Sequence, residues 1–209
     1  MLEVFHFSVL PSVSGVKKNM VWVNTSPLVK TYMLDEFWQL PDPPDGSKLE
    51  LIAGALYVTP PPDYTHNEIV TRLIRLFTLH LVSIGDRGKL YVPRAAIWTG
   101  PNTWVEPDLF YISAELAARM GQQRPTSADF VVEVISPGSA IYDRNMKAGT
   151  YEALGVRELW LIDETSRTIE VRSQTGSGFD GVQVFSSGRE ISSQIFPDLQ
   201  LQVAKLFID

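Results

Sequence analysis

Cysteine is absent from the 209 residues. That excludes a disulfide framework, a thiolate metal site and a cysteine nucleophile, and it fits a reducing, cytoplasmic setting. Histidine is scarce: the three residues His6, His66 and His80 show no HxH or HExxH spacing, which argues against a histidine-built zinc centre. No apolar run approaches the roughly 18 residues of a membrane span, so no membrane partner is expected. Positive charge is also short, with 18 Lys and Arg against 24 Asp and Glu, a net charge of −6 and a pI near 5.1. A sequence-independent nucleic-acid binder is usually basic, so a broad electrostatic footprint on DNA is disfavoured. A divalent ion with a local basic patch remains able to hold a phosphate.

The composition that is present, 44% hydrophobic and 20% charged, is that of a globular chain with a real core. Residues 31–209 read as a single domain, and residues 1–30 as an N-terminal extension of uncertain role. In the extension Glu3 precedes the apolar piece and Lys17 and Lys18 follow it, the reverse of a secretory signal. Met20 and Met33 are alternative starts.

Strand and helix signals alternate along the rest. Residues 32–40 suggest a short helix stopped by Pro41. Lys48–Ile52 and Ala55–Thr59 read as a hairpin turning at Ala53–Gly54. Apolar residues recur at helical period over Thr65–Val82, from Ile69 through Leu73, Leu76 and Phe77. Lys89–Trp98 and Val105–Ile112 read as strands, and Ser113 caps a helix running to Met120. Phe130–Ile135 is apolar on both faces apart from Glu133, the pattern of a doubly covered central strand. A break at 136–139 precedes a helix over Asp143–Leu154, closed by Gly155. Glu158–Asp163, Thr168–Ser173 and Val182–Phe185 are further strands, the last two joined across TGSGFDG. The alternation predicts an α/β domain with a mixed sheet.

Within it, Asp108 and Glu133 each occupy an interior position of an apolar run. A carboxylate there is costly unless paired, protonated or bound to a cation. With Lys147 on the following helix, the set has the chemistry of a metal site with a cationic helper. An equally open reading makes both acids strand-end residues paired with arginines. Asp143, Lys147 and Tyr151 stand four apart on one helix face, and the plainer alternative there is an exposed Asp–Lys pair. Glu50 lies inside the first hairpin strand, where the default is an outward-facing acid. His66 falls in the first turn of its helix, where a capping or surface role is the ordinary expectation and an active-site role the alternative.

The chain also resembles the Uma2-like family (DUF820) of the PD-(D/E)XK restriction-endonuclease-like superfamily. The resemblance rests on YMLDEFWQLP, LELIAGALYVTPPPDYTHN, VEPDLFYIS, DFVVEVISPGS, YDRNMKAGTYEALGVRELWLID and FPDLQLQV, in that order. It implies the superfamily core, a mixed central β-sheet flanked by helices, here with an added N-terminal hairpin. It further implies a divalent-metal phosphodiesterase site using Mg²⁺ or Mn²⁺. By this resemblance Asp108 and Glu133 are the two motif acids, and Glu50 matches an additional acid. The lysine expected two positions after the second acid is replaced by Ile135, and Lys147 on the next helix takes its place. Metal ligands would then be Asp108, Glu133, the Val134 backbone carbonyl and Glu50, with Tyr151 and His66 supporting them. The GEL acid of the family falls on Ala55 and carries no role.

The function expected from this resemblance is a metal-dependent DNA endonuclease, with a homodimer where both strands of a duplex are cut. The competing reading is a non-catalytic nucleic-acid or protein-binding module on the same fold, and a two-carboxylate glycosidase is a third. Arg72, Arg75, Arg94, Arg124 and Arg144 could form a basic path, although solvated surface is the ordinary expectation for most of them. The tail 196–208 and the aromatics near Trp38 are candidates for an interface.

Overall fold

In chain order the elements are α1 (Leu34–Phe37), β1 (Lys48–Ile52), β2 (Ala55–Thr59), α2 (Tyr64–Ser83), β3 (Lys89–Tyr91), β4 (Ile97–Thr99), β5 (Thr103–Val105), β6 (Leu109–Ile112), α3 (Ala114–Met120) and β7 (Phe130–Ile135). A π-helical turn (Asp143–Lys147) then runs into α4 (Ala148–Ala153), followed by β8 (Glu158–Asp163), β9 (Thr168–Thr175), β10 (Gly178–Phe185), β11 (Glu190–Ile191), β12 (Leu201–Gln202) and a 3₁₀ turn (Val203–Leu206). This computed structural model describes residues 30–121, 124–136, 143–176 and 178–207. The expected extension, apart from Lys30, and the expected break after Ser136 lie outside the described residues. Thr31–Asp209 folds as one unit.

The main sheet has six strands in the order β10-β9-β8-β7-β6-β3. Among the described residues only β7 and β8 pair in parallel, and the other neighbours are antiparallel, so the sheet is mixed. A parallel pair needs a crossover rather than a tight turn, and the Asp143–Leu154 segment supplies it. A second sheet, in the order β2-β1-β5-β4, is antiparallel throughout.

All six residues of β7 are buried because both faces of the strand are covered. Phe130, Val132 and Val134 join Leu73 and Phe77 of α2 in one core, while Val131 and Ile135 join Ala148 and Tyr151 of α4 in the other. This is the two-residue alternation of a strand, and it sends Glu133 toward α4. The α2 stripe of Ile69, Val70, Leu73, Phe77 and Leu81 is buried as its periodicity predicts.

Several boundaries differ from the sequence expectation. Val105–Ile112 is two strands in two sheets, because Pro107 has no N–H to continue a ladder. Lys89–Trp98 divides in the same way at Pro93 and Arg94, the latter at φ +73°. The first helix shortens to Leu34–Phe37. The crossover helix opens with a π turn. TGSGFDG belongs largely to β9 and β10, whose register shifts between Gly178 and Gly181, with Phe179 turned inward. The tail is core: Phe196, Leu199, Leu201, Val203 and Leu206 pack with α2 and β7, so the expected interface there is overturned for these residues. Trp38 does stay half exposed, edge-on to Trp98 and Trp104.

Candidate active site

The centre is Glu133, delivered by β7 to the face under α4 and 2% exposed. Lys147 Nζ donates to its Oε1 at 3.0 Å, and the Tyr151 hydroxyl donates to the same oxygen. The same ammonium lies 3.0 Å from Glu50 Oε2. Glu50 is fully buried and its Oε1 accepts the Glu106 N–H at 2.8 Å. One lysine, 1% exposed, therefore serves two buried carboxylates. Burial first, and then the negative charge of Glu133, pushes the Tyr151 phenol well above its ordinary pKa, so it remains a donor.

This geometry removes two of the plainer sequence readings. Lys147 is not an exposed helix-surface charge. Glu50 is not an outward-facing acid: β1 is an interior strand of its sheet, and Glu50 shares a face with Ile52, which packs in the same core as Ala148 and Tyr151. Glu50 meets the site through Lys147.

Asp108 enters from the link between the two sheets. Its Oδ2 accepts the Val134 N–H at 2.8 Å, tying the start of β6 to β7. Its Oδ1 lies 3.2 Å from His66 Nε2. The capping and surface readings of His66 are overturned. Asp63 is the cap, accepting the His66 N–H at 2.9 Å, and the imidazole turns inward to Asp108. Burial by itself lowers the His66 pKa, but the hydrogen bond and charge of Asp108, with help from Glu133, outweigh it and the net direction is up. Burial likewise works to raise the Asp108 pKa, and His66, Lys48 and Lys147 outweigh it, so the net direction is down. The two shifts describe one ion pair.

Asp108, Glu133 and His66 share a pocket of about 260 Å³, with Lys48, Arg94 and Glu164 also among its walls and the Pro60–Pro62 run beside them, whereas Glu50 and Tyr151 lie behind its lining. Val134 and Lys147 also line it. Lys48, Glu106 and Glu164 were not singled out from the sequence. A mixed-charge hairpin, an acid before a proline and an acid after a strand are common surface features, and no local signal separates these from such features. Lys48 Nζ donates to the Glu106 carbonyl at 2.8 Å, and Arg94 lies 3.4 Å from Glu106 Oε2. Of the five arginines in the proposed basic path, Arg94 alone is among the described residues lining the pocket. Arg72 is occupied by Glu68 and the Leu206 carbonyl, Arg144 by Asp163 and Glu170, and Arg124 lies over the Trp98 ring.

The donors fit a hard cation in kind. Among the described residues, no three His, Asp or Glu side chains converge to hold an ion unaided. Mg²⁺, however, commonly keeps several waters and takes only one or two protein carboxylates besides substrate phosphate. Asp108 and Glu133 on one pocket wall are such a pair.

Comparison with known proteins agrees with this architecture. A crystal structure described as "a putative nuclease belonging to DUF820" from Anabaena variabilis is similar in fold, with a TM-score of 0.68 at 19% identity, over 84% of this chain and 97% of that one. The uncharacterized protein sll1609 of Synechocystis sp. is 28% identical over 133 residues, which is 62% of this chain and 73% of that protein. The model of the Uma2 family, described as "Putative restriction endonuclease", matches residues 34–204. The chain belongs to the Uma2 family.

Proposed function

We propose that this protein is a metal-dependent endodeoxyribonuclease that hydrolyses phosphodiester bonds in DNA. The observation that carries the reading is the meeting of Asp108 and Glu133 in one pocket beside a buried lysine, with Lys48 and Arg94 on its walls. Asp108, Glu133 and the Val134 carbonyl are the groups that would hold a Mg²⁺ or Mn²⁺, and Glu50, expected as a further ligand, lies behind Lys147 and would act through it. Such an ion, when bound, polarises a phosphoryl oxygen and lowers the pKa of a water.

The chain's own residues prepare the site. Tyr151 and Lys147 hold Glu133 Oε1 from two directions, which sets the carboxylate orientation. The Val134 N–H fixes Asp108 Oδ2, and His66 occupies Oδ1. Lys147 holds its side-chain nitrogen between the acids in a water-poor setting, where an ammonium offsets charge developing on a phosphate. Lys48 and Arg94 supply the local basic contact that the acidic chain as a whole lacks. In this reading two copies act together where both strands of a duplex are cut, and the enzyme works in a reducing cytoplasm. No helix among the described residues is long and apolar enough to cross a membrane.

The saturation of Lys147 by Glu50 and Glu133 favours one alternative, a binding module whose former catalytic groups now only stabilise the fold. Cleavage separates the two. Supercoiled plasmid and single-stranded DNA are incubated with Mg²⁺, Mn²⁺ or EDTA, using wild type, Asp108→Ala and Glu133→Ala. Metal-dependent cutting that disappears in both variants is the expected result. Undiminished cutting by Asp108→Ala refutes the site, and no cutting by wild type together with no metal binding supports the binding module.

A further inference from the structure

We propose that Glu164 is a further positioning residue of this site: its free Oε2 accepts a hydrogen bond from a water carried by the divalent cation in the pocket. The inference rests on the metal-dependent reading above.

Three observations lead to it. First, Glu164 Oε2 is buried without a hydrogen-bond partner among the described residues. A buried acceptor left without a donor costs folding free energy. The neighbouring Asp163 shows the contrast, since its oxygens take Arg144 and the N–H groups of Thr165 and Ser166. Second, Glu164 lines the same pocket as Asp108 and Glu133. It follows directly on β8, whose last residue pairs with the last residue of β7. The carboxyl ends of adjacent parallel strands are where sheets of this kind bind ligands. Trp160 and Ile162 face the α2 core, and Glu164, the first turn residue after β8, lies where the charges of Asp63 and His66 at the start of α2 act on it. Third, the pocket is over-supplied with negative charge for a phosphate alone. Its described lining holds five acids, Asp63 and Glu106 among them, against Lys48, Arg94, Lys147 and the His66 paired with Asp108. A cation offsets this excess when a phosphate enters, and a hydrated cation brings the donors that Glu164 lacks. Burial, followed by the charge of Asp63, raises the Glu164 pKa, as befits a carboxylate with no donor of its own.

Glu164 is not placed as a direct ligand. Its electrostatic neighbours are Asp63, His66 and Asp163, so it stands on the His66 side of the pocket. Its assigned contact is therefore through a water rather than direct. Outer-shell partners of this kind change metal affinity by roughly ten- to a hundredfold when removed.

The test measures Mn²⁺ binding to the full-length chain by titration calorimetry, and metal-free melting temperature, for wild type, Glu164→Gln and Asp108→Asn. Gln keeps the shape and removes the charge. The expected result is a dissociation constant raised about tenfold or more in Glu164→Gln, with a metal-free melting temperature equal to or above that of wild type. A melting temperature that falls in Glu164→Gln marks the carboxylate as structural and overturns the proposal. Unchanged affinity in Glu164→Gln, with binding lost in Asp108→Asn, overturns the Glu164 assignment and leaves the metal site standing. No Mn²⁺ binding by wild type overturns both.

Discussion

Replacing Lys147 by Met tests whether the centre of the site is a buried charge cluster. The side chain is 1% exposed, and its ammonium lies 3.0 Å from both Glu50 Oε2 and Glu133 Oε1. Methionine fills much of the same volume but takes away the ammonium that two buried carboxylates share. Removing one partner of a buried ion pair costs about 3–5 kcal/mol, whereas an exposed pair contributes about 0–1 kcal/mol. In a chain of this size each kcal/mol moves the melting temperature by about 2–4 °C, so Lys147→Met should melt about 6–20 °C lower. Urea unfolding followed by tryptophan fluorescence gives the free energy directly, with the m-value checking that the same surface is exposed. Adding Glu50→Gln to Lys147→Met should recover part of the loss, a coupling of about 1–3 kcal/mol, because one uncompensated charge has gone. A loss below about 1 kcal/mol in the single variant would refute the buried triad.

Two further outcomes follow from the geometry. The His66 pKa is raised in the fold, so the stability it draws from Asp108 is fully present below its unfolded value of about 6.5 and is lost as pH rises through the folded value. The Asp108 pKa is lowered, so its share is present above about 3.9 and is lost as pH falls through the folded value. The stability difference between wild type and His66→Ala, measured without divalent ions, should therefore be largest in mildly acidic solution and shrink toward alkaline pH; a difference constant from pH 5 to 9 contradicts the pair. Phe196→Ala should cost about 3–5 kcal/mol in the same urea assay, because this tail residue is 3% exposed and packs on Phe77, Tyr111 and Phe130. A neutral result would return the tail to the surface.

Much of the frame was legible in the sequence. The apolar run Phe130–Ile135, the helical stripe of α2 and the cap at Ser113 are local signals, and local signals survive in the chain as period and composition. The acids Asp108 and Glu133 stood out because a charge inside an apolar run conflicts with its surroundings. Lys147 was drawn in as a cationic helper on the next helix, and the family resemblance assigned it the lysine missing after Glu133. The family itself was recognisable from the ordered motifs.

Other features depended on which faces meet. Glu50 and Lys147 are almost a hundred positions apart, and no period in either segment reports that a hairpin strand and a crossover helix close on each other. His66 looks like any first-turn histidine until Asp63 takes the cap and the β6 start arrives beside it. Pro107 and Pro93 divide runs that look continuous, because an apolar pattern carries no record of which sheet a strand will join. Glu164 is one acid among 24 acidic residues in the chain, and only the fold leaves its oxygen buried without a donor among the described residues. Periodicity and composition determined the elements and the residues in conflict with them, since both act over a few neighbours. The pairing of charges and the walls of the pocket were decided by tertiary contact, since burial and partners belong to the packed chain rather than to any stretch of it.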